Sequence, residues 1–309
     1  MALTPSKRFS HSPDPAAHRR QAERLAAPVP PLMVDAERVA STVAQGMHGR
    51  RRVGVGESFW EYRHHRPEDP AHAIDWRQSA KTDHLYVREN EWEAAQSIWF
   101  WRDASPSMLY RSEDRLDAKL DRASLLTLAA SILLVRGGER VALLGRTAAP
   151  ANGRLVLRRL ADDLAGTDTP VGSLPPTDPL PRFAQCVLIS DFLCPLEPLE
   201  TALTFFAERG VRGHMLQILD PAEEEFPFEG RTRFESVEDT TQLTIGRAEA
   251  LRTPYRQRLA VHRSALQTQA QSLGWTFTTH RTDHPAQLAL LALFGALSGA
   301  PLTSPYGQK

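Results

Sequence analysis

Cysteine is nearly missing from this chain: Cys186 and Cys194 are the only two in 309 residues. Two thiols cannot fill a four-ligand zinc site and do not make a disulfide framework, so a reducing compartment, the cytoplasm, is the expected location. Net charge is missing too. The 37 Lys and Arg balance the 37 Asp and Glu, which removes any overall pull toward nucleic acid or anionic lipid and leaves only local basic patches. The first 30 residues hold no apolar signal-peptide core and are rich in Pro, Arg and Ala. No apolar run approaches the roughly 20 residues that a membrane helix needs. The longest, Leu125–Val135 and Leu288–Leu297, read as buried helices. There is no G-x-x-x-x-G-K-[ST] loop, which argues against nucleotide binding. There is no G-x-S-x-G elbow and no Cys–His pair that can be placed, so no hydrolase triad emerges.

What is present suits a globular chain with a full core, since 41% of residues are hydrophobic and 24% charged. Residues 1–31 carry many prolines and read as a flexible tail. Residues 32–95 form a region with a short helix over Leu32–Val43, a basic stretch at Arg50, Arg51 and Arg52, an ordered loop over 57–80, and a strand over Leu85–Trp92. From residue 96 to 300 apolar runs alternate with helical patterns. Strands are predicted at Ser97–Arg102, Arg140–Leu144, Gln185–Ser190, Val211–Leu219 and Trp275–His280. Helices are predicted at Asp117–Arg136, Arg154–Leu164, Leu196–Arg209, Pro254–Leu273 and Pro285–Leu297. A hairpin over Arg233–Val237 and Gln242–Ile245 interrupts the alternation, and residues 301–309 are a tail. This order predicts an α/β fold: a mostly parallel sheet with helices on both faces, plus an N-terminal extension that contributes a strand.

Two strands end on acidic residues. Asp103 closes the apolar run Ser97–Arg102, and Ser105 and Ser107 follow at alternate positions; Asp191 closes Gln185–Ser190. Ligands of open α/β sheets bind beyond the carboxyl ends of the strands, where the strand order reverses, so both carboxylates are expected to face one crevice. Carboxylate and hydroxyl oxygens with no nearby His or Cys suit a hard divalent cation, Mg²⁺ first, with open positions for another ligand. The bland alternative is a loop-opening Asp followed by helix-capping serines.

The D-x-S-x-S run after a buried strand resembles the metal-ion-dependent adhesion site of von Willebrand factor A domains. The resemblance implies a Rossmann-like sheet, an Asp from a third loop, which Asp191 matches, and a Thr from a second loop. Thr147, in the turn after Leu144, is the nearest candidate for that Thr, with Asn152 as the alternative. A narrower resemblance lies upstream. Gly54, Gly56, Phe59, Tyr62, Arg63, Asp69, Ile74, Asp75, Trp76, Ala80, Leu85 and Val87 follow the order of the bacterial domain-of-unknown-function 58 family, and Leu216–Pro221, Pro227 and Gly230 extend the match. The resemblance spans about residues 35–298. It implies a partner of a MoxR-type AAA+ ATPase that helps assemble or activate a client protein. Many relatives carry membrane helices before the signature; this sequence shows none.

Other features have two readings each. Arg50, Arg51 and Arg52 form a grip for phosphate, nucleic acid or an acidic ATPase face, or a solvated loop paired with Glu57 or Glu61; the second is expected. Asp69, Asp75 and Arg77 form a partner contact, or Asp75 pairs with an Arg while Trp76 packs onto the main domain; again the second is expected. The functional expectation is a non-enzymatic, Mg²⁺-dependent protein-binding module, with no nucleic acid bound. The alternatives are a Mg²⁺-dependent phosphoester hydrolase and a nucleic-acid binder that uses Arg50, Arg51 and Arg52.

Overall fold

A computed structural model of the chain describes residues 30–47, 59–65, 74–81, 84–90, 96–165, 172–235 and 242–297. Arg50, Arg51, Arg52 and Asp69 lie outside the described residues. The central sheet has five parallel strands in the order β4-β3-β5-β6-β9. They are β3 (Ser97–Arg102), β4 (Arg140–Leu143), β5 (Gln185–Ser190), β6 (Arg212–Leu219) and β9 (Thr276–Arg281). The sheet starts in β3, adds β4 on one side, then crosses back to add β5, β6 and β9 on the other. The strand order therefore reverses between β3 and β5, which is the position of the ligand crevice in sheets of this type.

Helices cover both faces. The longest apolar pattern gives α3 (Lys119–Arg136), which packs with α1 (Pro30–Met47), α4 (Arg154–Ala165) and α8 (Ala286–Leu297) on one side. The other side is built by α5 (Leu196–Ala207) and α7 (Arg252–Ser272). The alternation of strand side chains distributes β5 between the two: Val187 and Ile189 enter the first core, Cys186 and Leu188 the second. With both faces covered, all six residues of β5 are buried. α3 is lined by buried hydroxyls as well as leucines. Ser124, Thr127 and Ser131 each donate to the carbonyl one turn earlier, so their burial leaves no donor unsatisfied.

The extension holds more structure than expected. Residues Phe59–His64 form β1, which pairs antiparallel with β2 (Tyr86–Asn90), where a loop is expected over 57–80. Its aromatic, His and charged residues hide the two-residue alternation that marks a strand exposed on one face. Trp76 is the clearest correction. It starts the one-turn helix α2 (Trp76–Ser79) and is 64% exposed, not packed onto the main domain. Asp75 caps α2 by accepting the Gln78 N–H at 2.9 Å, and Arg77 is exposed. The hairpin near 232–245 forms as β7 (Thr232–Glu235) and β8 (Gln242–Ile245). The helix Pro221–Glu225, here α6, is not expected; at five residues it is too short to show a period. α8 is only partly buried, with Leu288 and Leu291 exposed. No helix among the described residues is long and apolar enough to cross a membrane.

Gly213 in β6 holds a packing constraint. A Cβ there would lie 1.8 Å from the indole of Trp275, whose Nε1 donates to the Val211 carbonyl at 3.2 Å. Replacing Gly213 with Ala must push the indole off the strand, and the expected loss is about 3 kcal/mol by chemical denaturation, typical of an overpacked core.

Two buried histidines give a pH dependence. Burial, with Arg212 nearby, lowers His214 to about 4. Burial lowers His280 to about 3, helped by Arg122 and His284, and Arg122 Nη1 donates to His280 Nε2 at 3.2 Å. Both stay neutral in the fold but protonate in the unfolded chain near the ordinary value of 6.5. The unfolded state therefore binds more protons, and stability falls as the pH drops below that value toward 4 and 3. Between neutral pH and pH ~5 each histidine is expected to cost about 2 kcal/mol of unfolding free energy. His280→Asn and His214→Asn should each flatten the profile in that window.

Candidate functional site

The sequence-predicted oxygens meet at the reversal point. Asp103 follows β3 and Asp191 follows β5, and the strand ladder runs one step past β3: the Asp103 N–H donates to the Ile189 carbonyl at 2.9 Å. Asp103, Ser105 and Asp191 are buried, and Ser107 is half-buried. A hydroxyl relay connects the two carboxylates. Ser107 Oγ donates to Asp191 Oδ2 at 2.8 Å. Its hydrogen being used, Ser107 accepts from Ser105 Oγ at 3.1 Å. Asp103 in turn accepts the Ser105 N–H on Oδ1 at 2.7 Å and the Ser190 hydroxyl on Oδ2 at 2.6 Å.

Among the described residues Asp103 lacks a charged partner. Its hydrogen-bond donors are neutral, and among the described residues it makes no ion pair. Burial pushes its carboxyl above the ordinary range, against the pull of the Ser190 and Ser105 hydrogen bonds; the charge of Asp191 adds to the rise. Arg102 precedes it but turns the other way, donating to Ser124 Oγ at 2.7 Å and the Leu164 carbonyl at 3.0 Å.

Asp191 is placed differently, because a buried cation holds it. Lys119, the first residue of α3, is 0% exposed and donates to Asp191 Oδ2 at 2.8 Å and to Glu223 Oε1 at 2.5 Å. Burial pulls the ammonium pKa down, but Glu223 and Asp191 outweigh it, so Lys119 sits above the ordinary lysine range and is charged. Glu223 belongs to α6. Its other oxygen accepts the Asp220 N–H at 2.9 Å, and Asp220 accepts the Ala222 N–H at 2.8 Å, which completes a capping box. Asp220 Oδ2 also accepts the Ser112 N–H at 2.9 Å, tying the loop after Ser107 to the end of β6.

The backbone after Asp191 is pinned as well. Phe192 is left-handed, at φ 48°, a conformation that costs a non-glycine residue energy unless its surroundings enforce it. Three contacts do so: Ser190 Oγ accepts its N–H at 2.9 Å, His262 Nε2 donates to its carbonyl at 2.7 Å, and its ring is fully buried. Gln217 Nε2 donates to the Asp191 carbonyl at 2.8 Å.

Among the described residues, neither Thr147 nor Asn152 is hydrogen-bonded to this cluster. Thr147 is exposed and, among the described residues, hydrogen-bonds none of the four. Asn152 donates to the Glu139 carbonyl at 2.8 Å, at the start of β4 and so at the opposite edge of the sheet. Lys119, Glu223 and Asp220 are the functional-site residues that the sequence reading misses. The signal was available: a Lys at the first position of a long helix opposes the helix dipole, so it implies a nearby carboxylate. Likewise Asp220-Pro-Ala-Glu223 has the spacing of a capping box directly after a strand.

No three His, Cys, Asp or Glu side chains gather as a metal cluster among the described residues. What converges is two carboxylates and the hydroxyls of Ser105, Ser107 and Ser190. That set fits a hard cation of the Mg²⁺ type, because Ser105 and Ser107 give their hydrogens to neighbours and keep oxygen lone pairs available.

The Lys119 pair carries a stability prediction. Lys119→Met strands two buried carboxylates, and the expected loss is about 3–5 kcal/mol by denaturant titration. Lys119→Met with Glu223→Gln should recover most of that loss, since Gln keeps the capping-box hydrogen bond.

The chain is 26% identical over 275 residues to the uncharacterized protein Rv1480 of Mycobacterium tuberculosis, covering 84% of this chain and 86% of that protein. The uncharacterized protein Mb1516 of Mycobacterium bovis matches to the same extent. Among solved structures, the chain is similar to an aerotolerance-related membrane protein from Bacteroides fragilis, with 14% identity, a TM-score of 0.41, and coverage of 66% of this chain and 100% of that one. It is also similar to BatB from Bacteroides thetaiotaomicron, with 11% identity, a TM-score of 0.36, and coverage of 67% and 100%. The model of the protein family of unknown function DUF58 matches residues 61–265, and with two thirds of its length inside that match this chain belongs to the DUF58 family.

Proposed function

We propose that the chain is a cation-dependent protein-binding module of the von Willebrand factor A type, which works with a MoxR-type AAA+ ATPase to assemble or activate a client protein. The observation that carries this reading is Asp103: a buried carboxylate, raised by burial, that accepts only neutral donors and shares a hydroxyl relay with Asp191. Burying a carboxylate without a partner is costly, and a bound cation is the natural compensation. Asp103, Ser105 and Ser107 would hold the ion, with Asp191 supporting them through Ser107. A divalent cation held by few protein ligands keeps coordination positions that a partner's carboxylate can take.

The surroundings favour a protein as that partner. Leu109 and Leu193, two and two residues beyond Ser107 and Asp191, are 51% and 40% exposed. Exposed apolar side chains on both loops beside the polar centre give a protein partner apolar surface to cover. Binding is favoured over turnover because the Asp191 oxygen that accepts from Ser107 is already engaged by the Lys119 ammonium. The ATPase partner is supported by the family resemblance of the region around Asp75 and Trp76, and the exposure of Trp76 suits a contact surface there.

The test is a pull-down of an AAA+ ATPase of this type with the full chain, in Mg²⁺ or in EDTA. Capture is expected in Mg²⁺, with at least a tenfold loss, about 1.4 kcal/mol or more, in EDTA or for Asp103→Ala. Equal capture under all three conditions would remove the cation from the reading.

A further inference from the structure

We propose that Lys119 sets the affinity and ion selectivity of this site by keeping Oδ2 of Asp191 out of direct coordination. The inference rests on the cation reading above and goes beyond it in assigning the role of a residue that is not itself a ligand. A carboxylate oxygen accepts about two hydrogen bonds in its plane. On Asp191 Oδ2 both are taken, by Ser107 Oγ and Lys119 Nζ, each at 2.8 Å. Oδ1 accepts the Leu193 N–H at 3.1 Å, and the backbone carbonyl is held by Gln217. Asp191 therefore cannot present Oδ2 to an ion without giving up Lys119 or Ser107.

Lys119 in turn has nowhere else to go. It is fully buried, Glu223 takes its second hydrogen bond, and the Tyr110 ring lies 5.9 Å from its nitrogen. It stands at the N-terminus of the 18-residue α3, where the helix dipole adds to its positive charge. An arriving cation meets that combined field.

Two consequences follow. Affinity is low, because one of the two site carboxylates is already neutralised. Selectivity favours Mg²⁺, which is satisfied by a few protein oxygens and several waters, over Ca²⁺, which takes six to eight oxygen ligands. Freeing Asp191 adds an oxygen donor and helps Ca²⁺ more.

The experiment is calorimetric titration of the full chain with MgCl₂ and with CaCl₂ at constant ionic strength. The proteins are the natural chain, Lys119→Met/Glu223→Gln, Lys119→Met, and Asp103→Ala. The double variant is decisive, because it removes one charge of each sign. It leaves the net charge of the cluster unchanged, and it stays informative if the single variant does not fold. The expected result is binding at least tenfold tighter in the double variant for both ions, with the larger gain for Ca²⁺, and loss of binding in Asp103→Ala. Detectable binding by the double variant where the natural chain shows none is the same result in stronger form. Equal or weaker binding by the double variant, with the natural chain's signal abolished by Asp103→Ala, overturns the role of Lys119 and leaves the cation site standing. Absence of binding by both the natural chain and the double variant overturns the cation reading and this one with it.

Discussion

The site is organised around one buried ammonium. Lys119 holds Asp191 and Glu223 at once, and each acid is fixed to a different strand end: Asp191 to β5, Glu223 through its capping box to β6. Three elements of the crevice thus share a single charge, supplied by the first residue of α3. Such a pair contributes little net stability, because desolvating the charges offsets their attraction, but it is exacting about geometry. Its effect is to dictate where the carboxylates point.

That arrangement gives the two acids different characters. Asp191 is compensated by Lys119; Asp103 has only neutral donors and is raised by burial. Two carboxylates joined through Ser105 and Ser107 thus differ in electrostatic state, one held by a buried ammonium and the other by neutral donors alone. Leu109 and Leu193, on the two loops that carry these residues, are exposed.

Much of this was legible from residue order, and the limits have physical causes. The central strands and the long helices carry their period openly because both faces of the sheet are covered, and the predicted run Gln185–Ser190 is the observed β5. Asp103, Ser105, Ser107 and Asp191 could be placed together because strand ends in a parallel sheet share one rim. The second-loop Thr could not be placed, because a surface turn such as the one at Thr147 has no pattern that fixes where its side chain points. β1 was hidden by its mixed polar and aromatic composition, and Trp76 misled because a large apolar side chain is usually inside. Lys119 was overlooked because a charged residue at the head of an apolar helix reads as solvent-facing, although its conflict with the helix dipole argued otherwise.

The ladder bond from the Asp103 N–H to the Ile189 carbonyl has a mechanical meaning. The segments bearing the two acids are laced together by the same backbone hydrogen bonds that make the middle of the sheet, so they cannot spread apart without fraying β3 from β5. Such central strands open only at close to the full cost of unfolding. The width of the jaws is accordingly fixed, and any adjustment to a visitor must come from the outer turns, not from the hinge between them.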